Sequence, residues 1–234
     1  MEDYSIQNPD VAALKAGEKQ RFIVGVYCWM AAALVVTGGA AFAASANMTF
    51  MRLILTNSFL FFGLIITEFA LVMWLSAGIR KMSAPLATAV FFLYALVNGL
   101  TLSVVFFAFT RTSIALAFFL SAAIFGGMSA YGLITKNDLT RVGSYLMMAL
   151  VGLILASVIN IFINSSAYTW MVSMATVVIF TGLSAWDAQK LKNMAVAEEG
   201  TDIHTRQSIY GALQLYLDFI NIFLALVRLF GKRN

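Results

Sequence analysis

The chain has 234 residues, of which 61% are hydrophobic and 11% are charged, and its mean hydropathy is +0.87. An average soluble domain has about 25% charged residues, so this composition excludes an ordinary soluble enzyme, a disordered chain and a coiled coil. The single cysteine, Cys28, and the single histidine, His204, exclude a disulfide framework and disfavour a metal site built from these residues. The net charge of +4 comes without a basic cluster interleaved with aromatics, so we expect no nucleic-acid binding. A polytopic membrane protein remains.

Seven apolar stretches, separated by short polar connectors, predict an all-α membrane protein with seven transmembrane helices. About 20 apolar residues suffice for a helix to cross the hydrocarbon core. The predicted spans are residues 22–46, 53–79, 86–110, 112–135, 142–163, 167–186 and 208–231. The chain is therefore divided into an N-terminal tail (1–21), a single transmembrane domain (22–231) and a C-terminal tail (232–234).

The first apolar stretch also has features of a signal peptide. Lys15, Lys19 and Arg21 precede it, and small residues alternate near its end. Its apolar run of about 25 residues is longer than the hydrophobic core of a signal peptide, which has about 7–15 residues. We therefore expect an uncleaved transmembrane helix.

The lysines and arginines predict an N-terminus in the cytoplasm. With seven crossings, ten of them lie on the side of the N-terminus and five on the opposite side. The basic C-terminus, with Arg228, Lys232 and Arg233, disagrees with a seventh full crossing. A re-entrant seventh segment is the alternative, but its 24 residues are enough to cross, and we favour a full span.

Asp218 is the clearest functional candidate, because it lies in the middle of the seventh stretch. An aspartate at the centre of a membrane helix costs about 2.5–3.5 kcal/mol on insertion scales. Gln214 and Asn221 lie four residues before it and three after it, so the three side chains share one face of a helix. Lipid would not tolerate this polar stripe, so we expect the seventh helix to be central in the bundle. A protonated carboxyl group with one interhelical hydrogen bond is the structural alternative.

Asp187 and Glu68 are the other carboxyl groups in apolar surroundings. Asp187 ends the predicted sixth span and could be an interfacial residue near the lysines that follow it. Glu68 lies in the middle of the second span and could be a neutral carboxyl group bonded to Asn98 or Asn160. Arg80 lies about 18 Å further along that helix axis, where the loop-charge rule alone explains a cation.

Two small-residue pairs, Gly99 with Ser103 and Gly126 with Ala130, predict close helix packing. The chain has no Walker motif, zincin motif or nucleophile elbow, and we expect no enzymatic activity.

Several segments resemble the Bax inhibitor-1 family, and the resemblance covers nearly the whole chain. The most specific segments are LSAWDAQKLKNM around Asp187 and LYLDFINIFLALVRLFG around Asp218. Earlier segments that fit are YCWMAAALVVTG, ITEFALVMWLS, LYALVNGLTLS and FGGMSAYGLITKNDL. The sequence looks most similar to the bacterial inner-membrane branch. The resemblance implies a multi-pass, seven-helix bundle in the bacterial inner membrane, with the C-terminal helix at its centre.

The resemblance also implies a pH-sensitive calcium leak channel. In the family, two aspartates on the sixth and seventh helices share a proton and gate the leak, and Asp187 and Asp218 match them. Their oxygens would be suited to calcium, which is the transported ion, and no cofactor is implied. The family's second-helix glutamate matches Glu68. A basic residue at the end of that helix can latch the aspartates; Ile79 occupies the expected position, and Arg80 follows it as the candidate latch.

Simple electrostatics agrees with this implication. Two carboxylates held close together do not both ionise readily, and they titrate as a coupled unit. No histidine lies within the predicted spans, so such a pair is the credible pH sensor near neutral pH.

Two other functions stay open at this point. The protein could be a regulatory membrane protein that binds and modulates a membrane protease or a stress-response complex, a role that other bacterial relatives suggest. It could also be an intramembrane aspartyl protease, which uses two aspartates on adjacent helices. The Gly-x-Gly-Asp motif of such proteases is missing, because Leu215, Tyr216 and Leu217 precede Asp218. Calcium flux in liposomes that contain only this protein would separate the channel from the regulator.

Overall fold

A computed structural model describes residues 9–163, 165–194 and 200–234 of the chain. Within these residues the chain forms α-helices joined by short connectors, and the described part contains no strand beyond an isolated bridge between Phe109 and Arg233. The helices are α1 (Pro9–Ala46), α2 (Met48–Thr56), α3 (Ser58–Gly78), α4 (Ala84–Ala108), α5 (Arg111–Ile134), α6 (Thr140–Ile163), α7 (Ser166–Asn193) and α8 (Asp202–Phe230).

Seven of these helices are long and apolar enough to cross a membrane, which confirms the predicted all-α class and the number of spans. The exception is α2, a short amphipathic helix that buries Met51 and Ile54. Asn57 separates α2 from α3, because its side chain accepts a hydrogen bond from the amide of Leu60 and so begins a new helix. The span predicted at 53–79 therefore starts later, at Ser58.

Two other boundaries differ from the prediction. With 38 residues, α1 is about 57 Å long, more than the hydrocarbon core requires, so the helix begins within the predicted polar tail. Residues 1–8 of that tail lie outside the described residues. α7 continues to Asn193, so Asp187 lies inside the helix and does not end it. The sequence pattern assigns Lys190 and Lys192 to the polar connector after the sixth span. They lie instead in the last turn of α7, where cations are favourable.

The C-terminal helix α8 is the centre of the bundle, as predicted. It packs against α1, α4, α5 and α7, and it is the most buried of the seven spans. Leu215, Tyr216 and Ile222 have no exposed surface. The outermost spans are α3 and α6, which present mostly apolar side chains outward.

Hydrogen bonds at both ends of α8 show that it runs the full length of α4. Near its start, Arg206 Nη1 donates to the backbone oxygens of Arg80 (2.7 Å) and Met82 (3.0 Å), just before α4 begins. Beyond its end, the amide of Asn234 donates to the backbone oxygen of Ala108 (3.0 Å), the last residue of α4. The two helices therefore run side by side over their whole length, which favours a full span over the re-entrant alternative for the seventh segment.

Close approach between helices depends on particular glycines. At Gly99, a Cβ atom would lie 2.5 Å from the backbone oxygen of Thr37, so α4 and α1 touch there. At Gly132, a Cβ atom would overlap the backbone carbonyl of Ala185, so α5 and α7 touch immediately beside Asp187. The predicted packing at Gly126 is wrong, because a Cβ atom there meets open space on the outer face of α5.

The chain should begin and end on opposite sides of the membrane. We expect alkaline phosphatase, which requires an oxidising compartment, to be active when fused after Asn234 and inactive when fused after Lys136 in the connector between α5 and α6. The reverse pattern would contradict the cytoplasmic N-terminus predicted from the loop charges.

Gly132→Ala should destabilise the bundle by about 1–3 kcal/mol, because the added methyl group must push α5 away from the backbone of α7. We expect the thermal midpoint of the purified protein in detergent to fall by several degrees. Gly126→Ala on the same helix is the matched control, and it should keep or raise the midpoint because alanine favours helix formation. Equal midpoints for the two variants would contradict the close contact between α5 and α7.

Candidate functional site

α7 and α8 hold Asp187 and Asp218 inside the bundle, where the two side chains are only 7% and 3% exposed. The two carboxyl groups lie close enough for their charges to interact. Asp187 Oδ1 and Asp218 Oδ2 are buried without a hydrogen-bond partner among the described residues. Two carboxyl groups in this setting cannot both ionise at low cost, so the arrangement favours a shared negative charge or a bound cation.

Lys190 is the cation beside this pair. Its ammonium group lies 3.8 Å from Asp187 Oδ1. It also lies over the rings of Trp186 and Tyr210, at 5.2 Å and 5.9 Å from their centroids. The carboxylate and the two ring faces all attract a cation, so Lys190 can offset one negative charge of the pair. The spacing of three residues between Asp187 and Lys190 was the signal for this contact in the sequence.

The other lysine of this motif, Lys192, binds a backbone carbonyl group. Lys192 Nζ donates to the backbone oxygen of Thr135, which ends α5 (3.5 Å). Gln189 binds the connector that follows, accepting from the amide of Leu139 (2.8 Å) and donating to the backbone oxygen of Asn137 (2.7 Å). The segment around Asp187 thus anchors the connector between α5 and α6.

Hydroxyl groups from other helices also lie near Asp218, among them that of Ser184 on α7. Tyr27 on α1 lies within electrostatic reach of Asp218 and beside Ser129 on α5. The hydroxyl oxygens of both residues are buried and lie close to each other, but neither makes a hydrogen bond of standard geometry within the residues described. Buried polar groups without partners cost about 1–3 kcal/mol each and commonly mark a place for water or an ion. We refer to Asp187, Asp218, Lys190, Tyr27 and Ser129 as the aspartate cluster.

The remaining members of the predicted polar stripe behave differently from each other. Gln214 Oε1 is buried and lacks a partner in the described part of the chain. Asn221 Nδ2 donates to the backbone oxygen of Leu217 (2.8 Å), one turn earlier on α8 itself. The amide of Asn221 is therefore satisfied within its own helix and does not join another span.

Glu68 belongs to a second polar system, which we call the Glu68 network. Glu68 Oε2 accepts a hydrogen bond from Asn98 Nδ2 (3.1 Å), and Asn98 Oδ1 accepts one from the hydroxyl of Tyr216 (3.0 Å). That hydroxyl also lies 2.7 Å from Thr37 Oγ1, which donates to the backbone oxygen of Ala95 (2.8 Å). The network joins α3, α4, α8 and α1. Sequence reasoning named the contact with Asn98 as an alternative but missed Tyr216, although a buried tyrosine hydroxyl usually requires a partner.

The candidate latch, Arg80, is exposed in the turn between α3 and α4. The backbone oxygen of Arg80, rather than its guanidinium group, accepts a hydrogen bond from Arg206. Lys190, and not Arg80, forms the ion pair with Asp187 in this conformation.

The acidic side chains alone do not form a complete calcium site. In the part of the chain that the structure describes, no three residues among histidine, cysteine, aspartate and glutamate converge. Calcium takes six to eight oxygen ligands. Asp187 and Asp218 could supply only some of these ligands.

Comparison with known proteins identifies the family. The model of the family described as inhibitor of apoptosis-promoting Bax1 matches residues 19–234. The chain is 46% identical to the inner membrane protein YbhL of Escherichia coli (strain K12) over 217 residues. The matched region covers 92% of this chain and 93% of that protein. The chain is 42% identical over 217 residues to an uncharacterized protein of Borreliella burgdorferi (92% and 94% covered) and 37% identical over 184 residues to an uncharacterized membrane protein of Streptococcus pyogenes (79% and 80% covered). These matches confirm the resemblance seen in the two aspartate motifs: the chain belongs to the Bax inhibitor-1 family of membrane proteins.

Proposed function

We propose that this protein is a pH-sensitive calcium leak channel in which protonation of the aspartate pair holds the ion path shut. The observation that carries the proposal is the burial of Asp187 and Asp218 on two adjacent spans, close enough for their charges to interact, with Lys190 paired to Asp187 and with Asp218 Oδ2 lacking a partner among the described residues. Since YbhL is named as an inner membrane protein, we place this chain in the bacterial inner membrane, with its N-terminus in the cytoplasm.

The proposed gate depends on electrostatic repulsion between the aspartates of α7 and α8. When the two aspartates share one proton, their single negative charge balances the positive charge of Lys190, and the helices pack closely. When the last proton leaves, two negative charges face a single ammonium group, and their repulsion favours separation of the helices. The same charges then attract a divalent cation and offer it hard oxygen ligands.

Asp218→Asn should abolish the pH dependence of the flux. The change keeps the shape of the side chain, but Asp187 then keeps Lys190 and no longer faces a like charge. We expect calcium flux into liposomes that contain only this protein to become independent of pH between about 6 and 8, a range in which buried carboxyl groups can titrate. Asp187→Asn should have the same effect, and the double variant should add little because the pair acts as a unit.

Asp138→Asn is the matched control for these variants. Asp138 lies in the exposed connector between α5 and α6, where hydrogen bonds from the side chain and amide of Thr140 lower the pKa of its carboxyl group. It therefore stays ionised throughout the tested range, and its replacement should leave the pH profile unchanged. A wild-type profile in either aspartate variant would exclude the coupled-pair mechanism, and absence of flux from wild-type liposomes would favour the regulatory alternative.

Glu68→Gln should lower the calcium flux at every pH and leave the pH midpoint in place. Glutamine retains an oxygen that can accept from Asn98, so the change removes the charge while it preserves the hydrogen bond. We propose that this charge attracts the ion along its path. Unchanged flux together with unchanged thermal stability would instead identify Glu68 as a neutral structural group, whereas a shifted midpoint would make it part of the titrating unit.

A further inference from the structure

A cavity of about 1090 Å³ lies between α1, α4, α5 and α8, toward the end of the bundle at which α8 terminates. Ligand sites in proteins commonly measure about 300–1,000 Å³, so this space is large for a single chain of this size. Asp187, Asp218, Lys190 and Tyr27 do not line it. The cavity is therefore separate from the aspartate cluster.

The walls of the cavity are apolar. Its lining includes the rings of Phe42, Phe118, Phe119, Phe219 and Phe223. Phe42 and Phe119 are 54% and 69% exposed, so the cavity opens sideways toward the surrounding lipid. Surfaces of this kind favour hydrocarbon over water.

The depth of the cavity corresponds to one leaflet of the bilayer. Its lining on α1 extends from Ala46, the last residue of the helix, to Leu34. Twelve residues of helix span about 18 Å, whereas half of the hydrocarbon core is about 15 Å. The cavity thus reaches from one membrane boundary to about the middle of the bilayer.

Two arginines, Arg111 and Arg233, are the charged side chains in the described lining, and both lie at the boundary end. Arg111 is the first residue of α5, where the helix dipole itself is positive and favours an anion over a cation. Its guanidinium lies 5.7 Å from the ring centroid of Phe42. Neither arginine forms an ion pair with a side chain that the structure describes. Positive side-chain charge is therefore concentrated at the mouth of the cavity, and the described lining contains no acidic side chain.

We propose that this cavity binds an anionic phospholipid of the surrounding bilayer, with one acyl chain against the phenylalanines and the phosphate at Arg111 and Arg233. The walls match a hydrocarbon chain, the depth matches one leaflet, and the arginines lie at the level where lipid phosphates lie. Guanidinium groups bind phosphate through paired hydrogen bonds. The same charges repel a divalent cation, so this site is distinct from the calcium path and does not depend on the proposed channel function.

Gly38 provides a direct test of the cavity. It lines the cavity, and a Cβ atom added there meets open space, so Gly38→Leu should place a branched side chain in the acyl-chain path and narrow the cavity without disturbing the helix. Gly39→Leu is the matched control, because Gly39 is the next residue, is equally open and does not line the cavity. We expect native mass spectrometry of the full chain, titrated in detergent with dioleoyl phosphatidylglycerol, to show at least about tenfold weaker lipid binding for Gly38→Leu. Gly39→Leu should bind like the wild type.

The charge requirement is tested with Arg111→Gln and Arg233→Gln, singly and together, and Arg52→Gln is the control for the loss of one charge in each single variant, since Arg52 is exposed and lies outside the cavity. The double variant should lose the preference for phosphatidylglycerol over phosphatidylcholine, and the control should keep it. Thermal midpoints measured without added lipid should not fall in any variant, which would show that all of them fold. Equal binding of the two lipids by the wild type, unchanged binding by Gly38→Leu, or stronger binding of palmitate than of phosphatidylglycerol would each overturn the proposal.

Discussion

Inside a bilayer, a polar side chain has to find its partners within the protein, because the hydrocarbon offers none. The helix with the most polar side chains that need partners therefore has to occupy the middle of the bundle. In this chain that helix is α8, which carries Gln214, Tyr216 and Asp218 within two turns. Four other spans surround it, and they bring the groups that these side chains face.

The positions of Tyr216 and Asp218 divide the interior into two parts. Residues two apart on a helix point about 200° away from each other. Tyr216 accordingly faces the Glu68 network, and Asp218 faces Asp187 and Tyr27. α1 borders both parts, through Thr37 in the first and Tyr27 in the second. A rotation of α8 would therefore change both polar systems at once, which gives the bundle a physical route from a change of charge at Asp218 to the helices on its other side.

The two ends of α8 also differ in chemistry. Near its start, Arg206 and Lys192 are occupied with the terminal carbonyl groups of neighbouring helices and turns, and Lys190 is occupied with Asp187. Near its end, Arg111 and Arg233 border an apolar cavity without an acidic partner among the described side chains. Cations at the first end thus stabilise the protein itself, whereas those at the second are free to meet an anion from the membrane.

Composition and hydropathy alone determined the all-α class, the seven spans and the central place of α8, because an apolar helix and a buried carboxyl group leave a polypeptide few choices in lipid. The aspartate motifs also determined the family. The finer geometry depended on side chains from distant helices, and no local pattern specifies these. Only the tertiary structure decided that α5 and α7 touch at Gly132, whereas Gly126, which forms a small-residue pair with Ala130 in the sequence, faces outward. Likewise, it decided that Lys190 rather than Arg80 accompanies Asp187, and that Tyr216 joins Glu68 to α1, because these contacts depend on how the helices are rotated against one another.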